Sequence, residues 1–150
     1  MQKPARKNAF TLIELLVVIA IVGVLAAVVL IAINPARRMA QARDSGRKSD
    51  VGQLATAAQA YYTTYARYPT TLGELTASGD LKQIPSTSVV SGCSPSGAAS
   101  NNYAITYNSS TSEAVISVCI EAPTTATEYT YWVWRSSTGA AGEVSSVPAP

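Results

Sequence analysis

Leu15 to Ile33 is an unbroken apolar run, LLVVIAIVGVLAAVVLIAI. No other stretch of the chain constrains its fold so tightly. As a helix it is long enough to cross the hydrocarbon core of a bilayer, which takes about 20 residues. A short basic stretch with Lys3, Arg6 and Lys7 precedes it. A secretory signal peptide would have a shorter apolar core and a small-residue cleavage site behind it. Here Asn34-Pro35 and then a basic helical pattern follow. The run is therefore expected to stay in the mature protein. Pro35 has no N–H and disfavours helix at Asn34, so a helix kink is expected at Pro35.

Glu14 stands at the head of this run, in FTLIELL. A carboxylate in a bilayer costs about 2.5 kcal/mol or more by insertion scales, so it calls for a partner. Counting Lys and Arg on either side does not settle orientation. Three flank the run ahead, and Arg37, Arg38, Arg43, Arg47 and Lys48 follow it. A simple count would put the N-terminus outside.

Lys7-Asn8-Ala9-Phe10-Thr11-Leu12-Ile13-Glu14-Leu15 resembles the class III signal of type IV prepilins and type II secretion pseudopilins. The resemblance implies a leader over residues 1–9. It implies cleavage by prepilin peptidase between Ala9 and Phe10, on the cytoplasmic side, and N-methylation of Phe10. The residue before the cut in that family is usually Gly, and here it is Ala9. Glu14 matches the family's acidic residue five places into the mature chain. The implied partners are identical or related pilin subunits, the peptidase, an inner-membrane assembly platform, and the lipid bilayer before assembly. The implied location is a single-pass cytoplasmic membrane protein with its head outside, then an extracellular or envelope-spanning filament. A charge pair at low dielectric attracts far more strongly than in water. The new amine on Phe10 is thus expected to neutralise Glu14 of the same or a neighbouring subunit, and so to set assembly register.

Residues 10–35 form the membrane or filament-core helix in this division, and 36–68 an amphipathic continuation. Val51, Leu54, Ala55, Ala58, Tyr61, Tyr62 and Tyr65 recur at steps of three and four and predict one apolar face. Asp44 and Lys48 are spaced to attract each other on that helix. The basic part, Arg37 to Lys48, is expected near anionic headgroups or neighbouring subunits. It has no aromatic interleaving, and a nucleic-acid partner is unsupported.

Residues 69–150 make up the head. Thr71 and Glu74 read as a capping box opening a short helix over Leu72 to Ala77, closed by Gly79. Residues 85–102 are rich in Ser, Gly and Pro and read as an irregular loop. Strands are expected at Tyr103 to Tyr107, Ala114 to Ile120 and Tyr129 to Trp134. Asn108 to Ser112 is the expected hairpin turn, and Pro123 to Thr127 joins the second and third strands. The tail from Ser136 is expected to fray. Trp132 and Trp134 share a face and suit core or contact packing better than a ligand site. The fold class is α+β: a long N-terminal hydrophobic helix with a small antiparallel sheet on its C-terminal half.

Charged residues make up 13% of the chain, against roughly 25% in an ordinary soluble domain. Cys93 and Cys119 are the only cysteines. They are expected to pair in an oxidising compartment, and otherwise to be two buried thiols. Histidine is absent, which removes the commonest acid/base group and metal ligand. No catalytic constellation and no cofactor motif is visible. Glu113, Glu121, Glu128 and Glu143 are scattered, with no clustered Asp, so no metal is expected. The function expected is a structural subunit of a type IV pilus-like filament. The alternatives are a pseudopilin of a type II secretion or competence system, and an unprocessed, singly anchored binding module.

Overall fold

A computed structural model of the chain describes residues 10–95, 102–124 and 130–146. The contacts divide it into two units, Met1–Arg38 and Met39–Pro150.

In the first unit, helix α1 spans Leu12–Ile33 and buries none of its residues. Its 22 residues rise about 1.5 Å each, which gives roughly 33 Å, enough for a hydrocarbon core of about 30 Å. The helix stops at Asn34, whose φ of 48° and ψ of 74° lie in the left-handed region. Asn tolerates that region better than most residues. Helix α2, Pro35–Tyr65, begins at the next residue. Pro suits a first helical position because its missing N–H would have no intrahelical partner there. The Asn34 side chain accepts from the Arg37 N–H at 3.3 Å, and its carbonyl from the Arg38 N–H at 3.3 Å. Asn34 thus ends one helix and caps the next, so the break falls one residue before Pro35.

In the second unit, one face of α2 carries Val51, Leu54, Ala55, Ala58 and Tyr61 into the core. Tyr62 and Tyr65 do not join them. They are 42% and 50% exposed and stack on Tyr68 and Tyr61, with ring centroids 4.7 and 4.3 Å apart. Ala66, with φ 54°, turns the chain out of the helix. Helix α3, Leu72–Ala77, plugs Leu72 and Leu75 into the same core. Its expected capping box does not form, because the Thr71 side chain makes no cap bond. The Glu74 carboxylate is engaged elsewhere. It accepts from the Thr70 N–H at 3.0 Å, from the Thr70 hydroxyl, and from Tyr61 Oη at 2.8 Å, and it pairs with Arg67 at 2.8 Å. Gly79, at φ 85°, follows the helix.

Four antiparallel strands form a meander: β1 (Tyr103–Asn108), β2 (Glu113–Cys119), β3 (Tyr131–Arg135) and β4 (Ala141–Val144), in that order. The register sets Ile105, Ile116 and Trp134 in one row and Tyr103, Val118 and Trp132 in another. Trp132 is partly buried against the core, and the other five belong to it. At the first turn the Asn108 side chain accepts from the Ser110 N–H at 2.8 Å. Strand β4 corrects the expectation of a frayed tail. Its apolar content is low, but the turn at Gly139 (φ 66°) returns the chain to β3, and backbone pairing with β3 holds it. The proposed start of β3 at Tyr129 lies outside the described residues, as do parts of the 85–102 loop and of the connection after Pro123.

Candidate functional site: the processing segment and a buried ionic clamp

The first helical turn is organised by residues of the FTLIEL motif itself. Thr11, in extended backbone conformation, is the N-cap of α1. Its hydroxyl accepts from the Glu14 N–H at 3.3 Å. Glu14 Oε2 reaches back to accept from the Thr11 N–H at 2.8 Å and from the Thr11 hydroxyl at 2.9 Å. This reciprocal pair is a capping box, which satisfies two amides that would otherwise lack partners. Phe10 precedes the helix and is 87% exposed. A cut before Phe10 therefore leaves α1 and its cap whole. Ala9 and the residues before it lie outside the described residues.

The other site residues sit in the head. Cys93 and Cys119 form a disulfide across a sequence separation of 26. Beside them, α2 presents a charged cluster to two segments of chain. Arg47 is 1% exposed. Its guanidinium donates to Asp44 at 2.6 Å, to Glu121 at 2.5 Å, to Thr87 Oγ1 at 3.0 Å, and to the Ser88 carbonyl and hydroxyl at 3.2 and 3.1 Å. Asp44, also buried, accepts from the backbone N–H of Glu121 at 2.9 Å and of Ala122 at 2.7 Å. Arg43 grips Glu121 from the same helix, donating through Nε at 3.0 Å. Its hydrogen bonds, opposed by some burial and reinforced by Arg47, hold the Glu121 carboxyl down to about 2. A buried charge is tolerated when it is paired and its hydrogen-bonding groups are filled. The cluster meets that condition.

Three of the cations between Arg37 and Lys48, expected near headgroups or neighbouring subunits, are paired with acids of the head. Arg43, half-exposed, and Arg47, buried, both bind Glu121, and Asp44 takes Arg47 rather than Lys48. Lys48 reaches Glu143 of β4 at 3.0 Å and lies 4.4 Å from the centre of the Trp132 ring. The Glu143 carboxyl is lowered first by its hydrogen bond to Thr124 and then, against burial, by the one to Lys48. Glu113 pairs with Arg135 at 3.5 Å. The acids that looked scattered are thus answered one by one. Glu128 lies outside the described residues. Among the described residues no three His, Cys, Asp or Glu come together as a metal site.

Two features escape the patterns weighed above. Thr11-Leu12-Ile13-Glu14 carries the spacing of a capping box, a legible local signal. The clamp has none, because Asp44 and Glu121 are 77 residues apart in the chain.

Residues 4–30 match the family profile described as the prokaryotic N-terminal methylation motif. No curated protein and no solved structure was found to match the chain. The matched segment covers residues 4–9, the capping box and most of α1. The chain therefore carries the class III prepilin signal of type IV pilins and pseudopilins, ahead of an α+β head with a pilin-like layout.

Proposed function

We propose that the protein is a structural subunit of a type IV pilus-like filament. It is processed between Ala9 and Phe10, N-methylated on Phe10, and assembled through α1. One observation carries this reading. A prepilin signal leads into a capped 22-residue apolar helix that is exposed along its whole length among the described residues. Such a surface needs lipid before assembly, and other copies of the helix after it. A filament core supplies the second environment as extraction removes the first. The head then serves as the outward, oxidised part of the subunit, closed by its disulfide. The family of the motif is structural rather than enzymatic, and in the head Asp44, Glu74, Glu113, Glu121 and Glu143 are each engaged in an ion pair.

Glu14 has a place in this reading. Both of its contacts to Thr11 use Oε2, so the amine created on Phe10 would arise one residue from the existing cap. An opposite charge there stabilises the carboxylate most at low dielectric. Glu14→Gln is expected to leave the head folded and to cut filament yield at least tenfold, measured as sheared surface protein. Normal yield would exclude a register role.

The direct test is intact mass and N-terminal peptide mapping of protein from the membrane and sheared fractions. A chain that begins at methylated Phe10 supports processing as a prepilin. A chain that still begins at Met1, and sediments as a monomer in detergent, would replace this reading with a singly anchored module. The same signal serves pseudopilins of secretion or competence systems. Long surface fibres mark a pilus, and short envelope-confined ones a pseudopilus.

A further inference from the structure

The clamp and the disulfide hold the same two segments of chain. Arg47 binds Thr87 and Ser88, and Ser88 lies five residues before Cys93. Asp44 and Arg47 bind Glu121, and Asp44 also binds Ala122, just after Cys119. Both anchors belong to one turn of α2 and are buried there. We propose that Arg47 is a positioning residue for oxidative closure of the head: it brings the two cysteine-bearing segments together before the sulfurs join. This rests on the placement of the head in an oxidising compartment.

The chemistry is thiol–disulfide exchange. One cysteine thiolate attacks the disulfide of an external oxidant and forms a mixed disulfide. The second thiolate displaces the oxidant's remaining sulfur. Two electrons and the two cysteine protons pass to the oxidant, which leaves as two thiols. The second step depends on how often Cys93 and Cys119 meet. In a free chain the loop to be closed has the full separation of 26. With Ser88 and Glu121 already held on α2, the free lengths are five residues on one side and two on the other. Loop-closure entropy scales as three-halves of the logarithm of length, so shortening from 26 to about seven raises the effective concentration of the thiols about sevenfold. The coupling is reciprocal: the disulfide in turn keeps Thr87 and Ser88 against Arg47.

The test uses the full chain in detergent micelles, equilibrated in mixtures of reduced and oxidised glutathione. The oxidised fraction, read by thiol trapping and mass, gives the effective concentration of Cys93 and Cys119. Tryptophan fluorescence identifies the folded protein. Arg47→Met is expected to lower that concentration about sevenfold. Should Arg47→Met fail to fold, the double variant Thr87→Val, Ser88→Ala keeps every charge and is expected to lower it in the same direction, at least threefold. Lys48→Met removes a cation of α2 that binds Glu143 rather than either cysteine-bearing segment, and is expected to stay within twofold of the parent. Leu75→Ala weakens the core without touching the clamp and is also expected to stay within twofold. The proposal is overturned if the Thr87, Ser88 variant matches the parent. It is also overturned if Leu75→Ala lowers the value as far as the clamp variants do. Either result would mean that the fold as a whole positions the thiols. Failure here would leave N-terminal processing untouched, because that is read by the mass of the chain's first peptide.

Discussion

Helices α1 and α2 follow one another in the chain and solve opposite problems. Helix α1 is apolar apart from Glu14 and buries nothing. Helix α2 is polar on average and buries eight residues, among them Asp44 and Arg47. Hydropathy alone would assign burial the other way round. The difference lies in available partners. Among the described residues every position of α1 is exposed. The sheet and the segment around Thr87 and Ser88 supply α2 with both apolar and hydrogen-bonding partners. Each helix also carries a carboxylate that accepts from backbone N–H groups. Glu14 caps its own helix. Asp44 binds the backbone of a distant segment. The first bond is available to an isolated helix, whereas the second exists only in the folded head.

The sharpest way to break this comparison is to remove the buried cation. Arg47→Met leaves buried Asp44 without its counter-charge and Glu121 with Arg43 alone. Breaking a buried pair on one side typically costs about 3–5 kcal/mol. The expected result is a loss of that size in urea unfolding of the full chain, followed by tryptophan fluorescence. A loss below about 1 kcal/mol, the range of exposed ion pairs, would mean that the clamp is no better than a surface pair.

An acid titration gives a smaller, graded effect. Glu74 and Glu121 are both held near 2, below an ordinary value of 4.5. For Glu74 the Thr70 hydroxyl bond is the main cause, opposed by burial and helped by Tyr61 and Arg67. A carboxylate with a depressed folded-state pKa stabilises fully above its unfolded value and loses that contribution as the pH falls through the folded one. The head is therefore expected to keep its stability down to about pH 4.5 and to lose it progressively toward 2. Glu121→Gln should flatten part of that fall. An unchanged slope would separate Glu121 from the acid transition.

The smallest effect belongs to α1. Val22 is 56% exposed, so Val22→Ala is expected to change head stability by less than about 0.5 kcal/mol, as at other exposed sites. A larger loss in the same urea assay would show that α1 has a partner in the head after all, and the contrast between the helices would fail.

Much of this molecule is legible residue by residue. The apolar run, the prepilin motif, the 3.6-residue face of α2 and the alternation in β1 and β2 all depend on neighbours a few positions apart. Helix α3 and the Asn108 turn are legible for the same reason. What the sequence by itself determined is therefore every element whose cause is local, together with the signal at residues 4–30. Tertiary structure decided where the charges go. Arg43, Arg47 and Lys48 read as part of a basic stretch, and only the fold brings Glu121 and Glu143 to them. Glu74 reads as a capping residue until Tyr61 and Arg67 compete for it. Strand β4 has no apolar alternation, and only its ladder with β3 makes it a strand. In each case the deciding partner is held in place by the folded core, so the choice between partners is made in space rather than along the chain.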